Sequence, residues 1–293
     1  VDNTPPTMLC RNVTLDLNNA GQATLTVAAV NNGSFDNCAI VSFSLSQTLF
    51  TCANLGANMV TLTGTDQAGN TGTCVSTVTV RDLILPMAKC KNATANLNAL
   101  GTITIPPSLV DNVSTDNCSF TLSVSPATFN CSNLGANVVV LKATDGSNNM
   151  STCTAVVTVK DVTPPTALCK NVAINLNDMG KATLTVAQVD NGSTDNCSIS
   201  NRTLQRTEFN CGDIGAPLNN FMTVTDGSGN TSSCTAIITV RDLIAPTANC
   251  QNTTLPLMNG SATVYPAVLA ANSTDNCSVT SYMPTAKTYF AAG

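Results

Sequence analysis

The chain has 293 residues and a formal net charge of −5, and only 10% of its residues are charged. Its 12 Lys and Arg are scattered and form no basic stripe, so nucleic-acid binding is not predicted. No apolar run approaches the roughly 20 residues that a membrane helix needs, so no membrane span is predicted in this segment. Because the chain begins at Val1 rather than Met and ends inside a repeat, we expect it to be a segment of a longer protein.

An aspartate followed by a proline turn recurs along the chain at intervals of roughly 80 residues, a size typical of small independent domains rather than solenoid units. The copies open at Asp2, Asp82, Asp161 and Asp242. The sequence therefore predicts three domains and part of a fourth, called the first to fourth repeats below: residues 1–81, 82–160, 161–241 and 242–293.

The fourteen cysteines follow the same repeat, with four in each of the first three repeats and two in the last. They are Cys10, Cys38, Cys52 and Cys74; Cys90, Cys118, Cys131 and Cys153; Cys169, Cys197, Cys211 and Cys234; and Cys250 and Cys277. Zinc sites use closely spaced Cys-x2-4-Cys pairs, often with His, and this chain has neither. We therefore predict structural disulfides, which stabilise small domains and indicate an extracellular protein.

The alternation of Thr with apolar residues predicts β-strands. Residues 23–27 place Ala, Leu and Val on one face and Thr on the other, and residues 182–186 repeat this pattern. The runs 59–65 and 75–80 flank a turn rich in Asp, Gly and Asn, which predicts a hairpin. About seven short strands and no helix per repeat predict an all-β tandem array of disulfide-stapled, immunoglobulin-like Greek-key β-sandwich domains.

The recurring motifs resemble those of the hyalin repeat (HYR), an immunoglobulin-like adhesion module. In the first repeat they are Asp2-Asn3-Thr4-Pro5-Pro6, Asp36-Asn37-Cys38, Thr65-Asp66 through Gly69-Asn70 to Cys74, and Val78-Thr79-Val80-Arg81-Asp82. The resemblance covers the whole chain, and the four-cysteine form is similar to arrays in large bacterial cell-surface adhesins used for attachment and gliding. The departures are a missing double proline at residues 82–86, Asn148-Asn149 in place of Gly-Asn, and an irregular segment at 215–219.

The resemblance implies a disulfide pattern in which the first and last cysteines of a repeat pair. This joins Cys10 to Cys74, Cys90 to Cys153 and Cys169 to Cys234, and leaves the inner pairs Cys38–Cys52, Cys118–Cys131 and Cys197–Cys211. Cys250 and Cys277 are then both unpaired. The alternative, in which the first cysteine pairs with the second, would bond Cys250 to Cys277.

Most aspartates fall at the linker, the Asp-Asn-Cys turn and the Thr-Asp hairpin, which share one end of an immunoglobulin-like sandwich. We expect them to meet in three clusters: Asp2, Asp36 and Asp66; Asp82, Asp116 and Asp145; and Asp161, Asp195 and Asp226. Clustered carboxylates repel one another unless a cation neutralises them, and an oxygen-only ligand set suits calcium, so we predict calcium at the junctions, where cadherins also use it.

A plainer interpretation of these aspartates stays open. Asp, Asn and Gly are ordinary turn residues, and Arg81, Lys160 and Arg241 directly precede the linker aspartates, where they could supply the neutralising charge. Asp111 and Asp190 share a further position, occupied by Asn31 in the first repeat, and are interpreted as surface turn residues.

The sequence does not predict an enzyme, since a Ser or Cys nucleophile needs a base such as His and the cysteines are expected to be oxidised. The favoured function is the structural stalk of an extracellular adhesin or cell-surface filament. Its expected partners are neighbouring repeats of the same long chain and an unidentified surface ligand. The alternatives are a polymer subunit completed by strands from neighbouring chains, and an array whose domain faces bind glycan or protein.

Overall fold

A computed structural model describes residues 2–283 and 286–290. Each β-sheet draws all of its strands from one repeat. By Cα proximity the chain forms two compact units, residues 1–97 with 102–160 and residues 98–101 with 161–293. No helix in the described part is both long and apolar enough to cross a bilayer.

The first repeat contains six strands and one short helix in a two-layer arrangement. A four-stranded sheet has the order β1-β6-β5-β3, and β2 pairs with β4 in a second sheet. The β1–β6 pair is parallel and the other pairs are antiparallel. The bounds are β1 Val13–Asp16, β2 Gln22–Thr24, α1 Val27–Val30, β3 Ile40–Leu45, β4 Leu49–Thr51, β5 Gly56–Asp66 and β6 Thr71–Arg81, with a 3-10 turn at Cys52–Asn54.

The core of this repeat lies between its two sheets. Alternate residues of β5 are buried, among them Val60 and Leu62, and they belong to one cluster with Phe50 of β4. Period-2 burial of this kind follows from the pleat, which points successive side chains to opposite faces. The hairpin between β5 and β6 turns through Gly69, whose φ of 90° is accessible to glycine at little cost. It leaves Asp66 buried at the end of the sandwich.

The second repeat has the same architecture, with the sheet order β7-β12-β11-β9 and a β8–β10 pair. At the hairpin Asn148 takes the left-handed conformation with φ 69°, which Asn tolerates better than most residues, so the Asn-Asn departure keeps the turn. The bounds are β7 Ala93–Asn96, β8 Thr102–Thr104, β9 Phe120–Ser125, β10 Thr128–Asn130, β11 Gly135–Asp145 and β12 Met150–Lys160, with 3-10 turns at Pro107–Leu109 and Cys131–Asn133.

The third repeat again has a four-stranded sheet, β13-β18-β17-β15, and a β14–β16 pair. Its irregular segment shortens β17 to nine residues, against eleven in β5 and β11. The bounds are β13 Val172–Asn175, β14 Lys181–Thr183, α2 Val186–Val189, β15 Ile199–Leu204, β16 Glu208–Asn210, β17 Leu218–Asp226 and β18 Thr231–Arg241, with a 3-10 turn at Cys211–Asp213.

Among the described residues of the fourth repeat the only sheet is a counterpart of the smaller one, formed by β19 Ser261–Val264 and β20 Lys287–Phe290, with α3 Pro266–Leu269 between them. No side chain of residues 242–283 or 286–290 is fully buried. An apolar groove lined by residues such as Pro246, Val264, Leu269 and Tyr282 stands open on this repeat.

The predicted fold class is confirmed: the chain is all-β, with repeated sandwich-like sheets and disulfides. Three details differ from the expectation. Each complete repeat has six strands rather than about seven, its sheet includes a parallel pair, and the described part contains one-turn helices. In α1 the hydroxyl of Thr26 accepts a hydrogen bond from the Ala29 amide, a cap that stabilises a turn too short to be visible in the sequence pattern.

Candidate metal centres and junction disulfides

The second aspartate cluster is assembled by three separate elements. Asp82 directly follows β6 of the first repeat, Asp116 lies in the turn before β9, and Asp145 ends β11. One carboxylate oxygen of each lies within 4.8 Å of the others. The linker that leaves one repeat therefore contributes to a cluster built on the next.

The other two predicted clusters are assembled in the same way. The structure brings together Asp2, Asp36 and Asp66 in the first repeat and Asp161, Asp195 and Asp226 in the third, each with one oxygen per residue within 4.8 Å of the others. In a fourth, incomplete copy Asn276, which directly follows Asp275, donates through its amide to Asp242 Oδ1 (3.1 Å).

The hairpin asparagine of each repeat holds the buried aspartate at the end of the preceding long strand. Asn149 donates through its backbone N to Asp145 Oδ1 (2.8 Å) and through Nδ2 to Asp145 Oδ2 (2.8 Å). The same Nδ2 reaches the Asp82 carbonyl oxygen (3.0 Å), which ties the linker to the hairpin. Asn70 and Asn230 repeat this arrangement around Asp66 and Asp226.

Several oxygens in these clusters are buried without a hydrogen-bond donor. Asp82 is 3% exposed and its Oδ2 has no partner, and Asp116 Oδ1 and Asn117 Oδ1 are in the same condition. In the third repeat Asp161 Oδ2 and Asp195 Oδ1 are buried and unpartnered. Buried polar atoms are nearly always satisfied, and an unpaired buried charge is costly. Oxygen donors held in this way fit a calcium ion, which prefers carboxylate and carbonyl oxygens.

The electrostatics of the second cluster also favour a cation. Burial raises the pKa of Asp116, and the charges of Asp82 and Asp145 raise it further. In the less buried first cluster the Asp2 carboxylate accepts a hydrogen bond from the Thr4 amide, which lowers the pKa of Asp2. Desolvated carboxylates facing one another need a positive charge more than a solvated one does.

The basic residues that directly precede the linker aspartates are poorly placed to neutralise the clusters. Arg81 forms its ion pair with Asp16 (2.8 Å), a residue outside the clusters. Lys160 and Arg241 are exposed, whereas Asp161 is buried. Water and salt screen most of the attraction between an exposed cation and a carboxylate. These side chains therefore neutralise the buried carboxylates weakly.

Asp111 and Asp190 organise local turns. Asp111 Oδ1 accepts hydrogen bonds from the amide (3.0 Å) and hydroxyl (2.6 Å) of Ser114, and Asp190 does the same with Ser193. Asp190 also pairs with Arg202 (3.0 Å).

The disulfides agree with the implied pattern for the outer cysteines but not for the inner ones. Bonds join Cys10 to Cys74, Cys90 to Cys153 and Cys169 to Cys234, within single repeats. The expected Cys38–Cys52 and Cys118–Cys131 bridges are wrong, because Cys52 bonds to Cys118 of the following repeat. The expected Cys197–Cys211 bridge and unpaired Cys277 are wrong as well, since Cys211 bonds to Cys277. Cys131 and Cys197 are disulfide-bonded, and Cys38 and Cys250 are free and exposed.

The physical reason for this correction is the close approach of consecutive repeats. The Cys52 Sγ lies 3.5 Å from the Asn117 carbonyl oxygen, and Asn117 Nδ2 donates to the Asn18 carbonyl (3.4 Å). Gly21 permits the contact: with φ 68°, a Cβ there would lie 2.7 Å from the Asn117 oxygen and 2.7 Å from Cys52 Sγ.

The junction of the third and fourth repeats has matching geometry. Asn276 Nδ2 donates to the Asn177 carbonyl oxygen (3.2 Å). A Cβ on Gly180 would lie 2.6 Å from the Asn276 oxygen and 2.6 Å from Cys211 Sγ. The asparagine of the Asp-Asn-Cys turn and the glycine of the facing turn were missed by sequence reasoning. Their recurrence in each copy was the available signal.

Comparisons with known proteins find similarity to hyalin repeats. Residues 1–80 match the profile of the HYR domain. The chain is 28% identical over 268 residues to "Hyalin" of Strongylocentrotus purpuratus, an alignment that covers 85% of this chain and 22% of that protein. The chain thus spans about a fifth of its relative, which is a sea urchin protein, so a bacterial source is not supported.

Solved structures with detectable similarity include cadherin and immunoglobulin-domain arrays. The protocadherin GammaB4 extracellular domain is 14% identical, with 85% of this chain and 51% of that chain covered and a TM-score of 0.31. Mouse cadherin-23 EC22-24 is 12% identical, with 82% and 100% covered and a TM-score of 0.30. Sidekick-1 immunoglobulin domains 1–4 are 10% identical, with 80% and 76% covered and a TM-score of 0.31.

The hyalin relative and the extensive disulfides suggest an extracellular protein.

Proposed function

We propose that this chain is part of the structural stalk of an extracellular adhesin or cell-surface filament, built from domains bounded at residues 1–81, 82–160, 161–241 and 242–293. Calcium and a disulfide would together fix the junction between the first and second repeats. The observation that carries the proposal is the position of Asp82, which directly follows the last strand of the first repeat and has a buried, unpartnered Oδ2 beside the aspartates of the second.

The calcium ligands would be the three aspartates of each cluster. Asp82, Asp116 and Asp145 would hold the ion of the second repeat, with equivalent sets in the first and third. The bound cation would relieve the repulsion among the carboxylates and hold the linker against the next domain. The Cys52–Cys118 bond would limit separation of the same two repeats.

The partners that follow are further repeats of the same longer protein and a surface ligand held at a distance from the cell. Attachment, with or without gliding, is the task that such a stalk would serve. We assign no catalytic role to this segment, because it has no His and twelve of its cysteines are oxidised.

The test is metal content and thermal unfolding of the whole chain in calcium, in magnesium and in chelator. At a free calcium concentration 100-fold above Kd, each occupied site adds about 2.7 kcal/mol to the stability of its domain. Magnesium should stabilise less, because it demands a tighter octahedral shell. Superimposable curves without bound calcium would overturn the metal-stiffened junction.

A second candidate is favoured by the open groove of the fourth repeat. In the complete repeats the equivalent apolar side chains pack beneath long strands such as β5 and β6. A neighbouring chain could supply strands there and make the protein a polymer subunit. Concentration-dependent association that is lost when Leu269 in the groove is replaced by Asp would favour this candidate.

A further inference from the structure

The turn that contains Cys38 has the sequence and geometry of turns that dock onto a preceding repeat. In the second repeat Asp116-Asn117-Cys118 forms such a turn, in which Asp116 Oδ2 accepts from the Cys118 amide (3.2 Å). In the first repeat Asp36 Oδ2 accepts from the Cys38 amide (2.9 Å).

The asparagine of this turn is also placed in the same way. Asn117 donates to the linker carboxylate of Asp82, and Asn276 donates to that of Asp242. The amide of Asn37 likewise donates to the carboxylate of Asp2.

Two copies of this turn are occupied by another repeat. Cys118 and Cys277 are bonded to Cys52 and Cys211, and their asparagines donate to the carbonyls of Asn18 and Asn177. The first-repeat copy has the same groups with a free, exposed thiol. The first-repeat turn therefore has the groups that dock onto another repeat. The junctions at Cys118 and Cys277 show twice which surface receives such a turn.

The surface that receives such a turn has a defined signature. It is an Asn-x-x-Gly turn, Asn18 to Gly21 or Asn177 to Gly180, with a cysteine 31 residues after the glycine. The glycine is required because any Cβ would strike the carbonyl oxygen of the docking turn. Cys52 and Cys211 are already bonded, so the occupant must bring its own free cysteine.

We propose that Asp36, Asn37 and Cys38 form a docking surface for another hyalin-type repeat with this signature, and that Cys38 forms a disulfide with the third cysteine of that repeat. The bond needs a two-electron oxidant, here a small-molecule disulfide such as glutathione disulfide. One thiolate attacks it and releases a glutathione thiol, and the second thiolate displaces the other glutathione. One S–S bond forms, one is broken, and the two protons end on the released thiols.

The proposal is tested with two forms of this protein. The acceptor is the whole chain with Cys250→Ser, so that Cys38 is its free thiol. The donor is residues 1–241 with Cys38→Ser, which exposes Cys211 by removing Cys277. Every strand of the third-repeat sheets lies within residues 172–241, so the donor retains that fold. Circular dichroism and titration of the Cys211 thiol verify this before mixing.

With glutathione disulfide we expect a reducible acceptor–donor product whose peptide map contains Cys38 linked to Cys211. A donor with Gly180→Val should lose this product, because its side chain blocks the approach. Gly192→Val is the matched control, since Gly192 also has positive φ (83°) but a Cβ added there would meet nothing within 4 Å.

Three results would overturn the inference: no product from a folded donor with a titratable thiol, equal product from the Gly180→Val donor, or equal product from a Cys38→Ser acceptor. The second result would mean that the thiols react without docking of the two surfaces. The readout is a covalent link between Cys38 and Cys211 rather than bound metal, so its failure is distinguishable from failure of the calcium proposal.

Discussion

Cys52 and Cys118 are bonded across the junction of the first and second repeats, 66 positions apart in sequence. The nearby Cys10–Cys74 bond closes an interval of similar size, 64 positions, inside one repeat. Two kinds of cross-link are thus present: one closes a repeat and the other joins two neighbouring repeats.

Cutting the linker should leave the first two repeats attached to each other. Leu83 and Leu85 are exposed, and a specific protease site placed between Asp82 and Pro86 should be cleaved. On a non-reducing gel the products should run as one species, and Cys52→Ser should release them. Cys38→Ser is the control and should leave them joined. Separation of the unmutated protein without reductant would contradict the junction disulfide.

Gly21→Val should destabilise the junction more than Gly33→Val does. Both glycines have positive φ, so both substitutions carry a backbone penalty of about 1 to 2 kcal/mol. Only the Gly21 side chain would also strike Asn117 and Cys52. The check is the rate at which dithiothreitol reduces Cys52–Cys118, followed by mass spectrometry. Equal rates in the two variants would mean that the close approach is unimportant.

Asp116→Asn should have opposite effects with and without calcium. In chelator it should raise the melting temperature, because it removes a buried charge beside Asp82 and Asp145. In calcium it should weaken binding, at about 1.4 kcal/mol for each tenfold loss of affinity. Calorimetric titration should show one ion fewer per chain. Asp111→Asn serves as the control, and an identical calcium response in both variants would argue against the site.

Ser114→Ala should cost about 1 to 2 kcal/mol of unfolding free energy at neutral pH, because a buried hydroxyl then no longer donates to a carboxylate. The hydrogen bond from Ser114 lowers the pKa of Asp111. A lowered folded-state pKa adds stability above the unfolded value, near 3.9, and this stability is lost as pH falls through the folded pKa.

The difference between wild type and Ser114→Ala should therefore shrink in acid. Urea unfolding at a series of pH values from neutral to strongly acidic measures it. A difference that stays constant down to the lowest pH would show that the serine acts by packing alone.

The sandwich and the aspartate clusters could be predicted from the sequence. The alternation of side chains predicts the strands, and the known topology of such a sandwich predicts which loops meet. Alternation in residues 59–65 predicts a strand, and β5 spans Gly56–Asp66. Asp66, Asp36 and Asp2 stand at strand or loop ends that the fold collects on one side, so their meeting follows from topology.

The junction contacts were not accessible, because a repeated sequence offers each cysteine an equivalent partner in its own repeat and in the next. Cys52 could face Cys38 or Cys118 by pattern alone. The choice depends on how closely Gly21 lets the repeats approach, which is a three-dimensional property. The parallel pairing of β1 with β6 is likewise a long-range choice that alternation does not encode.

The Cys10–Cys74 and Cys90–Cys153 bonds also decide how much contour length the first unit can release under tension. If these repeats unravelled, the covalent path would bypass both loops, and only the segment between Cys74 and Cys90 would straighten between them. At roughly 3.3 Å per residue the extended length of this segment is about 50 Å, whereas a repeat without disulfides would extend to about 260 Å. Between Cys10 and Cys153 the cystines therefore set the greatest length that the chain could reach under tension, even if its sheets unfolded.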